Sequence, residues 1–481
     1  MSIVQELEAA GEVLSPVVRA ALVALEERVR VLEPLEEIVA RQQERIRELE
    51  ARLGLDSTNS SKPPSSDPPG KRRRSKRSSG RKRGAQKGHA GTYRSLLPPE
   101  RVDHVLTHRP DECGHCGCSL EGAAEVERPR VHQVIEIPEI RAEVVEHRAP
   151  RVCCPGCGKT NRATFPVEVS RSSFGPRLVA MGAMLTSRFR LSRRDLEAFF
   201  TDLLDVKAPS LGTTQAFANE AAAALLPAYR EVRRAVRRSE HAGIDETGWK
   251  LRGMSRWIWT ATTPRATLYH VGRSRSRRDL HRLVGPEYSG VVTSDRWSTY
   301  KACSRRQLCW AHLVRNLEGL ALRGDEAARF ARWGLAECER LFEAWHALKS
   351  GELEREGLRR RLVPIQARLG RLLGRGAQGG DRRVAAFCRD LKAHWESLWT
   401  FASVDGVEPT NNAAERSLRR AVLWRKCCFG SQSGRGLRFV ERMLTVTETC
   451  RQNQVNVLDY LTRAIVAGRQ NARAPRLLPT A

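Results

Sequence analysis

The sequence has no run of about 18 or more apolar residues, which is the length that a membrane-spanning helix needs. It also lacks a positively charged start followed by a hydrophobic stretch, the pattern of a secretory leader. These two absences predict an unsecreted, cytoplasmic protein. Its 481 residues suffice for roughly two to four units with buried cores.

The sequence also has few acidic residues compared with basic ones. Asp and Glu number 55 against 83 Lys and Arg, which gives a net charge of +28 and a pI near 10.4. A polyanionic partner, above all DNA, is the economical explanation of such a surplus. The surplus is uneven, because nine basic residues fall within residues 71–83: Lys71, Arg72, Arg73, Arg74, Lys76, Arg77, Arg81, Lys82 and Arg83. We predict that this arm lies along DNA phosphates, the alternative being a merely solvated charge run.

Cysteine is not scarce, but it is clustered: six of 13 lie between residues 113 and 157. The pairs Cys113/Cys116 and Cys154/Cys157 flank two strand-like runs, 131–137 and 140–148. Two Cys-x-x-Cys pairs around a hairpin are typical of a zinc ribbon, in which four thiolates hold one structural Zn²⁺. Cys118, Cys153 and His115 are rival ligands, and a redox pair or buried thiols are the alternative.

The N-terminal 55 residues carry apolar positions at heptad spacing from Leu22 to Leu53, with a register change at Pro34. This pattern predicts a short coiled coil, broken at Pro34 and ended by Gly54, through which two or more chains associate. The alternative is one amphipathic helix docked on its own chain. Residues 56–100, rich in Ser, Pro and basic residues, indicate a disordered linker.

The rest of the chain predicts an α/β fold with a ribonuclease H-like mixed sheet. Residues 176–239 have helical patterns, including one long helix from Ser210 or Thr213 to about Arg238, and form either a DNA-binding bundle or a packing layer. Strands follow at 241–250, 255–263, 266–272, 290–295 and 306–310, with helices at 275–284 and 311–322. We expect these parts: coiled coil 1–55, linker 56–100, zinc-ribbon-like domain 101–170, helical domain 171–239, catalytic core 240–324 and 404–450, helical insertion 325–403 with a Gly-rich break at 374–380, and a C-terminal helix and tail 451–481.

Three acids occupy the positions where such a core would hold metal ions. Asp245 lies in the first strand, Asp295 ends the fourth, and Glu415 lies about one turn into a helix. We predict that they bind two Mg²⁺ or Mn²⁺ ions, because hard cations prefer oxygen ligands and two-metal sites suit phosphodiester chemistry. Taken singly, each acid is more often solvated or a cap. Glu246 should point to the opposite face of its strand from Asp245.

The helix that carries Glu415 also offers phosphate ligands. Asn412, Arg416 and Arg419 lie on or near the face of Glu415 at helical spacing. A surface salt-bridge network is the alternative. His312, Trp310 and Cys309 either position DNA or belong to the core.

These motifs, in this order, resemble DDE transposases of the bacterial insertion sequence 66 family from about residue 20 to 466. They are, besides the two Cys pairs, Asn-Ser-Ser-Lys-Pro-Pro-Ser-Ser-Asp (59–67), Gly-Ala-Gln-Lys-Gly-His-Ala-Gly (84–91), Asp-Glu-Thr-Gly-Trp (245–249), Ser-Asp-Arg-Trp (294–297), Cys-Trp-Ala-His (309–312) and Asn-Asn-Ala-Ala-Glu-Arg (411–416). The resemblance implies a zipper-like N-terminus, a zinc-binding region, an interrupted ribonuclease H-like core and the catalytic acids Asp245, Asp295 and Glu415. The family often has Asp-Gly-Tyr where this chain has Asp295-Arg-Trp, a change that removes no acid.

The expected function is therefore cleavage of transposon ends and their transfer to target DNA in the nucleoid. The 3′-OH freed by cleavage attacks target DNA directly, without ATP or a covalent enzyme intermediate. The resemblance also implies small accessory proteins of the same element. Two rival hypotheses stand beside it: a zinc protein with a decayed core that only occupies ends, and a nuclease or resolvase that cuts without joining.

Overall fold

The computed structural model describes residues 3–56, 59–60, 67, 94–166, 169, 172–207 and 209–479. The chain forms two compact units. The first comprises residues 1–71, 146–198 and 208–481, and the second comprises residues 72–145 and 199–207. The basic residues Lys71 to Arg83 lie outside the described residues, as does most of the predicted linker.

The N-terminal segment is helical. Helix α1 spans Ile3–Ala9 and α2 spans Pro16–Leu53, where the Ser15 side chain accepts a hydrogen bond from the Val18 N–H. The helix ends before Gly54, as predicted, but the expected break at Pro34 is wrong because α2 continues through it. A proline removes one helical hydrogen bond, and the Leu, Glu, Ala and Arg residues around it are strong helix formers.

The predicted hairpin at 131–148 is also wrong. Neither run is a strand, and the regular pairing in this region is a short antiparallel ladder of β1 (Arg151–Cys153) with β2 (Thr160–Arg162). Residues on both alternating faces of the predicted strands are exposed, including Val134 at 80% and Ile135 at 60%. Alternation stabilises a strand only when one face is buried, and a lone two-stranded hairpin is marginal in water.

Helices precede the central sheet, as predicted. They are α3 (Pro176–Met184), continued by a π-helical turn to Phe189, α4 (Arg193–Leu204), α5 (Leu211–Ala224) and α6 (Leu226–Arg237). Ser192 and Ser210 cap the second and third of these helices. The single long helix expected after Ser210 is two helices, because Pro227 starts a new first turn after Leu225.

A five-stranded mixed sheet forms the centre of the first unit. Its strands are β3 (His241–Leu251), β4 (Met254–Thr262), β5 (Thr267–Gly272), β6 (Val291–Ser294) and β7 (Arg306–Leu308), in the order β5-β4-β3-β6-β7. The first three form an antiparallel meander, whereas β6 and β7 run parallel to β3. Helix α7 (Arg277–Val284) follows β5, and α8 (Trp310–Leu320) follows β7. The predicted strand and helix order is confirmed.

Residues 325–403 are mainly helical, and their apolar residues form one core together with residues of β6, β7 and α8, such as Val291, Leu308 and Trp310. Its helices are α9 (Asp325–Ser350), α10 (Arg355–Gln378), α11 (Arg382–Ala393) and α12 (Thr400–Ser403). The expected break at 374–380 is confined to residues 379–381. Gly376 belongs to α10, and its lack of a side chain lets this helix pack closely against Cys388 and Phe330.

The chain then returns to the sheet through α13 (Asn412–Cys428), α14 (Gly434–Gln452) and α15 (Val457–Arg469). Helix α13 packs on β3 and β4, and α14 packs on β5. No helix in the described part of the chain combines the length and hydropathy that a membrane crossing requires.

Candidate active site

Asp245 lies on β3, and Asp295 directly follows β6, the strand that runs parallel to β3. Each paired residue of β3 and β6 differs by 50 in number, and the last pair is Gly243 with Thr293. Asp245 and Asp295 lie two residues beyond that pair and keep the same difference. In-register residues of adjacent parallel strands point to the same face. Asp245 lies within β3, and Asp295 follows the last residue of β6, where its carboxylate accepts the Trp297 N–H at 2.9 Å.

Glu415 is carried by α13, which packs on the face of the sheet at β3 and β4. The preceding Asn411 is buried, and its Nδ2 donates to the Ile244 carbonyl oxygen at 2.7 Å. Gly243 makes the approach possible, since a Cβ there would meet Asn411 Oδ1 at 2.5 Å and Ala414 Cβ at 3.4 Å. The first turn of α13, which contains Glu415, therefore lies next to the strand that carries Asp245.

The three acids influence one another electrostatically. Burial raises the pKa of the Asp245 carboxyl well above its usual range, and the negative charges of Glu246, Glu415 and Asp295 raise the pKa further. The Glu246 N–H donates to Asp245 Oδ1 at 2.9 Å and opposes this rise. Such mutual repulsion is relieved by a proton or by a bound cation.

Helix α8 surrounds Glu415 with a cation and an imidazole. Arg315 donates from one guanidinium nitrogen to both Glu415 oxygens at 3.1 Å. His312 Nδ1 lies 3.5 Å from Glu415 Oε1, and burial followed by the Arg315 charge lowers the pKa of His312, which favours the neutral ring. Cys309 Sγ, a His312 ring nitrogen and a Glu415 oxygen lie within 4.8 Å of one another, a spacing that could hold a metal ion.

Glu246 occupies the other face of β3, as predicted. Tyr300 and Arg275 both donate to its carboxylate. Arg275 is itself stacked on Trp297, with its guanidinium carbon 3.9 Å from the ring centroid. Glu246 is thus committed to a buried hydrogen-bond network that braces the loop after Asp295.

The predicted phosphate ligands Asn412, Arg416 and Arg419 are exposed on α13. They follow one another at helical spacing and share the outer side of the helix, next to Glu415. Their role in DNA binding stays a prediction.

Each Cys pair adopts a tight knuckle within its own unit. In the second unit the Cys113 N–H donates to the Cys118 oxygen at 2.8 Å and Gly117 N–H returns to the Cys113 oxygen at 2.9 Å. In the first unit Cys154 and Gly158 repeat this pattern. Hydrogen bonds from backbone N–H groups, led by His115 for Cys113 and by Cys157 for Cys154, lower the pKa of both thiols. The shared zinc ion stays a prediction.

Sequence reasoning missed Arg315 and Asn411. Arg315 follows His312 by three residues in a predicted helix, so its presence on the same face was a readable signal. The bond from Asn411 to Ile244 crosses 167 residues of sequence, and no local pattern announces it.

The five-stranded mixed sheet and its flanking helices are compatible with a transposase core. The transposase IS66 family matches residues 171–438, more than half of the 481 residues, so the chain belongs to that family. Residues 9–95 match a family of unknown function (DUF6444). The family resemblance read from the motifs is confirmed.

Two proteins from Sinorhizobium fredii are similar to this chain over different shares of its length. The uncharacterized protein y4hP is 24% identical over 427 residues, covering 78% of this chain and 74% of that protein. The uncharacterized protein y4qI is 25% identical over 237 residues, covering 44% of this chain and 43% of that protein.

Proposed function

We propose that this chain cuts the ends of an insertion sequence and joins them to target DNA, using a ribonuclease H-like core. The parallel pairing of β3 with β6 is the observation that carries the proposal, since it supports a close approach of Asp295, just after β6, to Asp245, whose pKa the Asp295 charge raises. Helix α13, whose start is held against β3 by Asn411, carries Glu415 in its first turn. Family membership favours this chemistry over other uses of three clustered acids.

The donor set fits divalent cations such as Mg²⁺ or Mn²⁺. Asp245, Asp295 and Glu415 offer carboxylate oxygens, the ligands that hard cations prefer. Burial is the main cause of the raised pKa of Asp245, and the neighbouring negative charges of Glu246, Glu415 and Asp295 raise that pKa further. Cys309 is less suitable as a ligand because burial raises the pKa of its thiol to about 11 and its sulfur accepts the Asn411 N–H at 3.2 Å. Asp245, Asp295 and Glu415 would together hold the ions.

The bound ions would supply water activation and stabilisation of the leaving 3′ oxygen. The chain itself positions the reactants. Arg315 orients the Glu415 carboxylate, and Asn412, Arg416 and Arg419 bind DNA phosphates beside it. Hydrolysis breaks one P–O bond and leaves a 3′-OH. That hydroxyl then forms one P–O bond to target DNA while another breaks, so the exchange needs no ATP.

Two further parts complete the proposal. Cys113, Cys116, Cys154 and Cys157 hold one structural Zn²⁺, for which both knuckles provide lowered thiol pKa values. Residues 22–53 of α2 pair with a second copy, which brings two DNA ends together by raising their effective concentration. The basic arm at residues 71–83 adds affinity for DNA without reading its sequence.

The test is a strand-transfer assay on labelled DNA ends of the element, with a target plasmid and Mg²⁺ or Mn²⁺. We expect joined products from the wild-type chain and none from Asp245→Asn, Asp295→Asn or Glu415→Gln, each still binding DNA. Asp405→Asn is the matched control, because Asp405 is 91% exposed on its side chain and should leave activity unchanged. Cut ends without joining would favour the nuclease alternative, and binding without cutting would favour the decayed core.

A further inference from the structure

Two loops at the far end of β3 are joined into one surface, here named the basic tip: residues 250–256 of the β3–β4 hairpin and residues 429–433 after α13. The Ser431 N–H donates to the Lys250 oxygen and the Arg252 N–H donates to the Ser431 oxygen, each at 2.9 Å. The Arg252 side chain also donates to the Gln432 oxygen at 2.8 Å. Gly430 permits this contact, as a Cβ there would lie 2.6 Å from the Lys250 oxygen. The loops are therefore held in one fixed arrangement.

The basic tip is positively charged without compensation from its own segments. Residues 247–257 and 416–440 contain no Asp or Glu. The exposed cations on or beside the tip are Lys250, Arg252, Lys426, Arg435 and Arg438. A solvated basic surface usually interleaves both signs of charge, so a fixed surface of one sign indicates an anionic partner.

The tip also presents an aromatic side chain at a conformational cost. Phe429 is 80% exposed, and its backbone is left-handed, with φ of 56° and ψ of 6°. Glycine is the usual residue at this position after a helix, because a side chain is strained there. The neighbouring Met254 is 52% exposed. A strained, exposed phenylalanine amid cations has the composition of a surface that stacks on nucleic acid bases.

The distance from the acids suits a DNA strand. Phe429 follows Glu415 by 14 residues of α13, which corresponds to about 21 Å of helix. Lys250 follows Asp245 by five residues of β3, which corresponds to about 17 Å. One strand of DNA advances about 3.4 Å per nucleotide, so the tip lies about five to six nucleotides from the acids. Asn412, Arg416, Arg419 and Lys426 line the exposed side of α13 between them.

We propose that the basic tip binds DNA about five to six nucleotides from the cleaved phosphate, with Phe429 stacking on a base that has left its pair. This inference rests on the proposed function. Lys250, Arg252 and Lys426 contact phosphates, and the row along α13 continues those contacts to the acids. The tip thereby holds the DNA end at a fixed distance from the chemistry and favours a distorted duplex.

The phosphate contacts are tested by the salt dependence of DNA binding to the full chain, measured by fluorescence anisotropy on a labelled duplex of about 30 base pairs. For the triple variant Lys250→Gln, Arg252→Gln, Lys426→Gln we expect the slope of log affinity against log salt to fall by about 2.7, or about 0.9 per phosphate. The matched control removes three exposed charges from α10, Arg360→Gln, Arg361→Gln, Arg371→Gln, and should keep the slope.

The stacking contact is tested with the same duplex carrying a short run of mismatches. We expect the wild-type chain to bind the mismatched duplex about tenfold more tightly than the paired one, a preference that Phe429→Ala and Phe429→Gly lose and Phe429→Trp keeps. Phe429→Gly should raise Tm at the same time, because glycine relieves the strained backbone. Trp333→Ala, which removes an aromatic residue 68% exposed on α9, should keep the preference.

The outcomes separate the two proposals. Wild-type salt slope in the triple variant, or an intact mismatch preference in Phe429→Ala, overturns the assignment of the tip while cleavage by the three acids stands. Absence of any salt-dependent binding by the wild-type chain overturns the proposed function and the tip together.

Discussion

Single side chains set how closely α13 approaches the sheet. Asn411 is buried and bridges two parts of the site, donating to the Ile244 oxygen from its side chain and to Cys309 Sγ from its backbone. Gly243 leaves the space that Asn411 fills. The position of Glu415 thus depends on an amide and a missing side chain as much as on its own helix.

Gly243→Ala should lower the free energy of unfolding by about 1–3 kcal/mol, because the added methyl group overpacks against Asn411. Cleavage should fall by about 100-fold, since a small displacement of α13 moves Glu415 away from Asp245. Denaturant unfolding and the cleavage assay measure the two effects. Gly374→Ala is the control: a Cβ there meets nothing within 4 Å, and we expect a gain of about 0.5–1 kcal/mol. Wild-type stability and activity in Gly243→Ala would contradict the close approach.

The three acids could be predicted from the sequence, whereas the residues that position them could not. Asp245 and Asp295 stand in or after short apolar runs whose strand character is local, and Glu415 follows a recognisable helix start. Arg315, Asn411 and Gly243 act through contacts that exist only once the chain has folded. Their importance therefore came from the structure.

Among the elements, α2 combines the two alternatives for the N-terminal heptads. One end of the helix docks on its own unit, and the other end exposes the apolar positions that a second chain could cover. Its C-terminal end contacts its own unit: Ala51 is buried, and Glu48 pairs with Arg383 of α11 at 3.2 Å. Earlier heptad positions are exposed, including Leu25 at 57% and Val29 at 47%. A row of exposed apolar residues at heptad spacing is the surface that a second copy would cover.

Replacing Leu25 and Val29 together with Glu should convert an associated chain into the 54.0 kDa monomer, because two charges would be buried in the seam. Light scattering coupled to size exclusion measures the mass. The control is Val17→Glu with Val18→Glu, which changes exposed positions ahead of the heptads. An unchanged oligomer in the seam variant would exclude α2 as the interface.

The knuckles make a separate prediction. The purified full chain should contain one zinc ion, and Cys113→Ser or Cys154→Ser should reduce the zinc content well below one per chain, because each removes a thiolate ligand. Elemental analysis by mass spectrometry measures the content. Cys427→Ser, an exposed cysteine at the end of α13, should retain the metal. Full zinc in both knuckle variants would show that other residues bind it.

Most elements with a buried face were predicted well, whereas the exposed hairpin was not. The five strands of the sheet and the helices α7 and α8 lie within a few residues of their expected bounds, because burial enforces the hydrophobic period. The hairpin at 131–148 failed because alternation there is not matched by burial. The prediction missed the division of the helix at Leu225, because the hydrophobic pattern does not show the effect of the missing N–H of Pro227.

For the whole chain, the order β5-β4-β3-β6-β7 is what turns separate motifs into one site. It places β3 between an antiparallel and a parallel neighbour, so residues 50 positions apart pair in the middle of the sheet. The helical insertion separates Asp295 from Glu415 in sequence without separating α13 from β3. The net charge of +28 then suits the long anionic substrate that such a site would process.

Manganese binding tests the central claim that Asp245, Asp295 and Glu415 form one cation site. Paramagnetic resonance of free Mn²⁺ titrated with the full chain reports binding without any need for activity. We expect saturable binding by the wild-type chain and by Asp405→Asn, and at least tenfold weaker binding by Asp245→Asn, Asp295→Asn and Glu415→Gln alike. Wild-type affinity in any one of the three variants would contradict the shared site.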